Sequence, residues 1–248
     1  MRAILTWHSL DRSGSPISVA PEEFHRQLAW LAGSGVRITT VDRLLTLEET
    51  VHAAALTFDD GYANFAGVAA PALAEFGLPA TIFVVTGHVG RDNRWGGREQ
   101  PGIPSLPLLG WDELARLRET GITLAAHTNT HPRLGSLDPE RLAGEIAGAA
   151  DLMESRLGDR PAGFAYPYGE LTRPALRLVE QTYRWACTTE FRSMERQGSP
   201  HRLPRIDAWY LKEASRRAGW GSRRFRNWVW LRRQGRRAGS WLRRASGR

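Results

Sequence analysis

Two adjacent carboxylates end an apolar run in "AALTFDDGYANF", residues 54–65. Asp59 and Asp60 repel each other and lose hydration there, so a fold that keeps them supplies a cation or drives their pKa values apart. Two histidines, His127 and His131, stand four residues apart in "AAHTNTHPRL". If this segment is a helical turn, both imidazoles lie on one face and can share one metal ion.

The H-x-x-x-H spacing is a weak signal by itself, because loop histidines more often make ordinary hydrogen bonds. Together with one carboxylate, the two imidazoles form three borderline ligands that leave a fourth position for water. That is the pattern of a catalytic divalent metal site, with zinc as the first expectation and cobalt or nickel as alternatives. One aspartate can bind the metal while its neighbour takes a proton from the water. The residues alone do not decide which aspartate has which role.

The elements that must position these residues alternate along the chain. Seven short apolar or β-branched runs, from "AILTW" to "RWACTT", are separated by longer helical patterns, which predicts parallel βαβ units. His8, the pair 59–60, His127 and the segment 166–168 each follow the carboxyl end of a different predicted strand. A barrel gathers these ends at one face. We therefore expect an α/β fold, a distorted (β/α) TIM-like barrel with about seven strands.

Charge divides the chain into two parts. The 248 residues are 42% hydrophobic, enough for a sizeable core, and the single cysteine, Cys187, excludes an internal disulfide framework. Residues 208–248 contain 13 Lys or Arg and one Glu, a net charge of +12, whereas residues 1–207 contain 21 basic and 25 acidic residues, a net charge of −4. We expect a catalytic domain over 1–207 and a basic, tryptophan-rich C-terminal segment over 208–248.

The segment 208–248 interleaves five of the ten tryptophans with paired arginines. Such a segment, if helical, suits an anionic membrane surface. Nucleic-acid binding through phosphates is a less favoured alternative, and a helix docked on the barrel or a partner is a third. The N-terminus lacks the pattern of a signal peptide, and no apolar run is long enough to span a bilayer. The expected location is the cytoplasm, with peripheral attachment to the inner face of the membrane.

Three motifs carry a family resemblance. In chain order, "TFDDGY", "HTNTH" and "FAYPYG" resemble the first three motifs of the polysaccharide deacetylases, which are the family 4 carbohydrate esterases with a nodulation-protein deacetylase homology domain. The resemblance covers residues 3–207 and is closest to the "YH"-type enzymes that act on poly-N-acetylglucosamine. It implies a distorted barrel and a metal-dependent hydrolase that removes N-acetyl groups from an amino sugar in a glycan or a lipid-linked glycan precursor.

The same resemblance assigns roles to individual residues. It implies that Asp59 is the general base and that Asp60 binds the metal with His127 and His131. The backbone N–H of Tyr168 is expected to stabilise the developing oxyanion.

The sequence departs from the family pattern at two places. Ala165 stands where many members have an arginine that braces the base, and Arg205 in "LPRID" is a conceivable substitute. The late histidine that protonates the leaving amine in many members is also missing. His8 in "LTWHSL" is the better candidate for this general acid, with His201 as a fallback.

The expected substrate-binding residues are Arg94, Trp95, Tyr166, Pro167 and Arg205. Arg94 and Trp95 belong to "GRDNRWGG", which falls where family members place a substrate loop. Two other functions remain open at this level: an O-acetyl esterase that uses the same site, or a catalytically weak scaffold that binds a glycan or a membrane.

Overall fold

The computed structural model describes residues 1–194, 198–214, 217 and 219–245, and the side chains of the last helix as far as residue 235. Residues 215, 216, 218 and 246–248 of the basic segment lie outside the described residues. The strands are β1 (Arg2–Trp7), β2 (Arg37–Thr39), β3 (Ala53–Phe58), β4 (Thr81–Val84), β5 (Thr123–Ala126), β6 (Gly163–Ala165), β7 (Trp185–Cys187) and β8 (Ile206–Asp207). The helices are α1 (Pro21–Gly33), α2 (Val41–Thr46), α3 (Ala70–Glu75), α4 (Trp111–Glu119), α5 (Pro139–Leu157), α6 (Arg173–Thr182) and α7 (Arg223–Ala245).

The strands form one parallel sheet in the order β7-β6-β5-β4-β3-β1-β8, with β2 beside β3. β1 pairs with β3 along its whole length, so β2 and β4 must share the other edge of β3. β2 takes residues 53–55 of that edge, and β4 takes residues 57–58. This shared edge distorts the barrel. The prediction of a distorted TIM-like barrel with about seven strands is confirmed, and β8 is the strand that the sequence did not predict.

The sheet closes through residues 203–207. Leu203 bridges Cys187 of β7, and its N–H donates to the carbonyl of Ala186 at 2.8 Å. Three residues later the chain has crossed to the other end of the strand order, where Ile206 and Asp207 pair with Leu5 and Thr6 of β1. This segment therefore links β7, at one end of the strand order, to β1, near the other end, across the open side of the barrel.

Side chains alternate between the barrel interior and the layer of helices, as the two-residue period of a strand requires. The interior cluster includes Ile4, Ala55, Phe83, Ala125 and Ala165. Their strand neighbours pack outward against the helices, and these include Leu5, Leu56, Ile82, Leu124 and Phe164. Continuing the interior series beyond the strand ends leads to His8, Asp59 and His127. The strand period thus directs three of the predicted site residues into the mouth of the barrel.

The helix α7 packs against the barrel by one face. Phe225 and Val229, four residues apart, are buried in the outer core, and Trp228 is partly buried beside them. The opposite side of the helix carries Trp230 and Leu231, which are 56% and 63% exposed. The helix lies within the basic segment, and its inner face is docked on the barrel. Among the described residues, no helix is both long and apolar enough to cross a membrane.

Candidate active site and metal centre

Three ligand-type side chains from two strand ends converge at the mouth of the barrel. Asp60 follows β3, and His127 and His131 follow β5. The Nε2 atoms of His127 and His131 lie 3.5 and 3.4 Å from Oδ1 of Asp60. One ligand atom from each residue lies within 4.8 Å of the others, and all three residues are buried. Such a spacing suits ligands that surround one ion at about 2 Å each.

Asp59 and Asp60 both line the same cavity, although neighbouring strand residues normally point to opposite faces. Asp59 keeps the interior direction of Ala55 and Thr57. Asp60 has a φ of 71°, in the left-handed region that only glycine adopts without strain, and Gly61 follows with a φ of 76°. The turn at Asp60 interrupts the strand alternation, which allows two consecutive carboxylates to face one centre.

His127 and His131 meet through an irregular loop and not through the helical turn considered from the sequence. Thr128 and His131 both have left-handed φ values, 67° and 60°. The Thr128 hydroxyl oxygen accepts a hydrogen bond from the His131 N–H at 3.0 Å. Glu145 of α5 accepts hydrogen bonds from the N–H groups of the two residues after Thr128, at 2.9 and 2.8 Å. These contacts fix the loop that brings the two imidazoles together.

Backbone strain is concentrated at this site. Among the described residues, every non-glycine residue with a positive φ lies at the mouth of the barrel, and these are Asp60, Thr128, His131 and Tyr168. A left-handed conformation costs a non-glycine residue about 1–2 kcal/mol. The surrounding hydrogen bonds offset that cost, and clustered strain of this kind is typical of functional sites.

The donor set fits a divalent cation. Nδ1 of His127 donates to the Ala165 carbonyl at 2.8 Å, so its Nε2 keeps a lone pair that faces Asp60. Burial lowers the pKa of His131 well below its ordinary value and keeps this imidazole neutral. Burial also raises the pKa of Asp60, whose Oδ1 has no hydrogen-bond partner in the described part of the chain. A buried carboxylate oxygen facing two neutral imidazoles is unfavourable without a cation.

Asp59 is held by Arg205 in a buried, bidentate ion pair. The Nη1–Oδ1 and Nη2–Oδ2 distances are 2.5 and 2.7 Å, and Nη1 also donates to the Thr6 hydroxyl at 3.1 Å. Burial favours the neutral carboxyl, but the Arg205 guanidinium outweighs it and holds the pKa of Asp59 well below its usual range. Asp59 is therefore ionised and is not part of the three-residue ligand cluster.

Arg205 lies behind Asp59 and is only 2% exposed. Its guanidinium is fully engaged inside the protein, with Nε donating to the Thr188 carbonyl at 3.0 Å. It does not line the cavity, which corrects the expected substrate contact. Its position instead suits the brace that Ala165 cannot supply.

His8 lies beside Asp59 at the edge of the cavity. Its Nε2 is 3.6 Å from Oδ2 of Asp59, and its side chain is 26% exposed. The fallback candidate, His201, lies elsewhere, because its Nε2 contacts the Tyr183 carbonyl at 2.9 Å and it does not line the cavity. Of the two histidines, His8 alone reaches the site.

The cavity above the ligand cluster has a volume of about 170 Å³. Trp95 lines it, with its ring centroid 4.6 Å from that of His131. Tyr168 stands on the other side, 4.8 Å from the same imidazole, and the Arg133 guanidinium carbon lies 4.6 Å from the centre of the Tyr168 ring. The Trp95 ring is therefore placed where a ligand in the cavity would contact it.

The other expected substrate contacts differ in their access to the cavity. Tyr166 lines it, although the residue is fully buried and its hydroxyl donates to the His201 carbonyl at 3.2 Å. Arg94 is not among the cavity residues and pairs with Asp92 at 2.5 Å. Pro167 is buried next to Tyr168, where its fixed φ helps to shape the turn.

A second layer of residues around Asp60 was missed by the sequence analysis. The Tyr62 hydroxyl forms a hydrogen bond with Asp60, and Nδ2 of Asn93 donates to the Tyr62 hydroxyl at 3.2 Å. Oδ1 of Asn93 in turn accepts the N–H of Leu106 at 2.8 Å. Tyr62 could have been found, because it lies two residues after the ligand in the motif "TFDDGY". Asn93 carries no such signal.

Comparison with known proteins agrees with this geometry. The sequence model of the family described as polysaccharide deacetylase matches residues 47–183, more than half of the chain. The chain therefore belongs to the polysaccharide deacetylase family, and the prediction of a carbohydrate deacetylase of the hydrolase class is confirmed.

Individual relatives are distant. The chain is 26% identical over 209 residues to YxkH of Bacillus subtilis (strain 168), named provisionally as a polysaccharide deacetylase, and this covers 82% of the chain and 70% of the relative. It is 24% identical over 203 residues to a Staphylococcus aureus (strain MRSA252) poly-beta-1,6-N-acetyl-D-glucosamine N-deacetylase, covering 76% and 67%. The solved structure of Streptococcus pyogenes deacetylase PplD in complex with acetate superposes with a TM-score of 0.70 at 22% identity, covering 83% of this chain and 91% of that one. This last likeness bears on the fold alone.

Proposed function

We propose that this protein is a metal-dependent hydrolase that removes N-acetyl groups from an amino sugar in a glycan. One observation carries the proposal. A buried cluster of Asp60, His127 and His131 shares a cavity with Asp59 and His8, so ligand donors, a base and an acid all face the same space. Family membership and the name of the Staphylococcus aureus relative support the amino-sugar substrate.

Asp60, His127 and His131 would hold the metal ion. Two neutral imidazoles and one carboxylate are a borderline donor set that favours zinc, with cobalt or nickel as substitutes. When bound, such an ion supplies Lewis acidity, polarising the acetyl carbonyl and lowering the pKa of water toward 7.

Asp59 acts as the general base in this proposal. It remains ionised because the positive charge of Arg205, which lies behind it, stabilises the carboxylate. It is also not a member of the ligand cluster. It takes one proton from the attacking water as the water oxygen bonds to the carbonyl carbon.

His8 acts as the general acid. It donates a proton to the amide nitrogen as the C–N bond breaks, which releases acetic acid, still carrying the second proton of the water, and a free amine. Nε2 of His8 lies 3.6 Å from Oδ2 of Asp59, so a small approach of the two groups would let the proton on Asp59 pass to His8, and both would regain their starting states. No further proton donor is needed for one turnover.

Tyr168 contributes its backbone to the site in this proposal. Its φ of 58° reverses the chain after Pro167, and its N–H would stabilise the developing oxyanion. Trp95, on the facing wall of the cavity, offers a flat ring for stacking on a pyranose. Arg94 stays a rim residue that could be reached only if its pair with Asp92 opened.

We also propose that the substrate is presented at an anionic membrane surface, as a lipid-linked glycan precursor. The support is α7, which faces solvent with Trp230 and Leu231 beside a run of arginines. Each basic residue near such a surface contributes on the order of 1 kcal/mol, and the cytoplasmic leaflet carries the anionic lipids. Residues 208–248 have a net charge of +12, which complements that surface.

Acetate release tests the activity. The purified full chain is assayed with N-acetylglucosamine oligomers, including β-1,6-linked and lipid-linked forms, and with an O-acetylated glycan, each with and without a chelator. We expect acetate from the N-acetylated substrates, loss with chelator and recovery with zinc. His25→Ala is the control for His8→Ala, since His25 pairs with Glu75 on the outer surface.

The ester substrate separates the alternatives. An alkoxide leaves more readily than an amine anion, so His8→Ala should affect the amide far more than the ester. If the wild-type protein hydrolyses the ester substrate but not the amide substrates, that result would support the O-acetyl esterase. A protein that binds glycan but releases no acetate at any metal concentration would support the scaffold.

A further inference from the structure

The C-terminal helix contacts a segment that reaches two of the proposed catalytic groups. We define the bridge segment as residues 188–191, which follow β7 and precede the crossing at residues 203–207. One side of this segment lies against the site, and the other side lies under α7.

The bridge segment holds Arg205 at two points. The carbonyl of Thr188 accepts a hydrogen bond from Nε of Arg205, and the carbonyl of Glu190 accepts one from its backbone N–H, both at 3.0 Å. The guanidinium of Arg205 braces Asp59 in the bidentate pair. A displacement of the bridge segment would therefore move Arg205, and the movement of Arg205 would shift Asp59, the proposed base.

The bridge segment also touches the turn that contains Tyr168. The Thr189 hydroxyl donates to the Tyr168 carbonyl at 3.3 Å, and Thr189 lines the cavity. Contact is close at the next residue, because a Cβ added to Gly169 would lie 1.9 Å from the Thr189 hydroxyl oxygen. The segment thus supports the turn from behind.

The helix α7 holds the bridge segment by a charge and by an aromatic contact. Arg233 forms an ion pair with Glu190, which also accepts Nε of Arg192 at 2.9 Å. Phe191 is buried between Trp228 of α7, at a ring-centroid distance of 5.8 Å, and Tyr210, at 5.3 Å. The inner face of the helix therefore fixes two consecutive residues of the segment.

We infer that α7 is a positioning element for the active site, and that the Arg233–Glu190 ion pair is the contact through which it orients Arg205 and the turn at Tyr168. This inference rests on the proposed function. Neither residue lines the cavity, so they act on the geometry of Asp59 and of the turn at Tyr168 and not by contact with the substrate. Catalysis by oriented groups is sensitive to displacements of about 1 Å.

Steady-state kinetics of the full-length protein tests this inference. Arg233→Met is compared with Arg224→Met, which removes the same charge from an exposed position of the same helix. We expect Arg233→Met and Glu190→Gln to lower kcat roughly tenfold with KM changed less than twofold, Arg233→Lys to restore most of the rate, and Arg224→Met to match the wild type. Zinc stoichiometry should stay unchanged in all of them, since the ligand cluster is not in this path.

Hydrogen exchange provides a readout that does not depend on activity. The backbone N–H of Arg205 should exchange faster in Arg233→Met than in Arg224→Met, because its acceptor belongs to the bridge segment. Unchanged kcat together with unchanged exchange at Arg205 would overturn the inference, as would a loss of stability with kcat preserved. Absence of acetate release by the wild-type protein would instead reject the proposed function, and the exchange experiment would still decide the structural link.

Discussion

Arg205 and Asp59 are 146 residues apart in the chain, yet their side chains form two parallel hydrogen bonds of 2.5 and 2.7 Å in the barrel interior. Removing one member of a buried ion pair costs about 3–5 kcal/mol, because the other charge stays buried and unpaired. We expect Arg205→Met to lower the free energy of unfolding by about that amount and to abolish measurable deacetylation. Urea denaturation and acetate release are the measurements.

A double variant provides the control for this ion pair. Arg205→Met combined with Asp59→Asn removes both charges, so it should be more stable than Arg205→Met alone. Arg205→Lys keeps the charge but loses the two-pronged geometry, and intermediate activity is expected. Equal stability of the single and double variants would contradict the importance of the pair.

Metal content should separate the roles of the two adjacent aspartates. Asp60→Asn weakens one of three donors, so we expect zinc bound after dialysis to fall well below one ion per chain. Asp59→Asn should retain close to one ion and still lose activity, because it removes the proposed base and its ion pair with Arg205 but none of the three ligand donors. Elemental analysis, with cobalt absorption as a second measure, distinguishes the two, and loss of metal from both variants alike would reject this division.

Gly169 and Gly158 form a matched pair for testing the turn at Tyr168. Both have a positive φ, 70° and 85°, so substitution by alanine imposes a similar backbone cost of about 1 kcal/mol. A Cβ at Gly158 meets nothing within 4 Å, whereas one at Gly169 meets Thr189. We expect Gly158→Ala to be slightly less stable but fully active, and Gly169→Ala to lose most of its kcat. Similar kcat values would show that the turn tolerates displacement.

Cys187 should be unreactive until the barrel opens. It is fully buried, and burial raises the pKa of its thiol to about 12. Because the folded pKa is above the thiol's ordinary value of 9.0, the thiol contributes stability below pH 9 that is lost as the pH rises toward about 12. A thiol reagent at pH 8 should modify the native protein only at its unfolding rate. The stability of Cys187→Ala should fall less steeply above pH 9, and rapid native-state labelling would argue against this prediction.

The outer face of α7 should determine any binding to membranes. Trp230→Ser combined with Leu231→Ser removes exposed apolar surface and leaves the buried Phe225 and Val229 in place. We expect co-sedimentation with vesicles rich in phosphatidylserine to fall at least severalfold, without a change in the activity on soluble oligomers. Vesicles of phosphatidylcholine alone are the control. Binding to generic DNA with a steep salt dependence, and none to vesicles, would favour the nucleic-acid alternative.

The period of two along each strand explains why much of the site could be predicted. Ile4, Ala55 and Ala125 face inward, and the same parity directs His8, Asp59 and His127 to the mouth of the barrel. The parity rule fails at Asp60, whose left-handed φ is set by the surrounding loop and not by its own residue type. The same limit applies to His131. A regular pattern predicts regular backbone, and here the ligands depend on its exceptions.

The sequence also could not predict which residues that are far apart in the chain contact each other in the fold. Arg205 was considered as a brace and also as a substrate contact, and only its burial behind Asp59 separates the two. The strand β8 has just two residues, too short for any periodicity. Tyr62 and Asn93 support Asp60 through hydrogen bonds between segments about 30 residues apart, and no local pattern encodes such a pairing.

Closure of the sheet by residues 203–207 affects how this protein may be shortened. A fragment limited to the matched region, residues 47–183, would keep both aspartates and both histidines of the proposed metal cluster. It would lack β1, β2, β7 and β8, leaving β3 and β6 as open edges that invite aggregation between copies. The smallest autonomous unit of this enzyme is thus longer at both ends than the stretch by which its family is recognised.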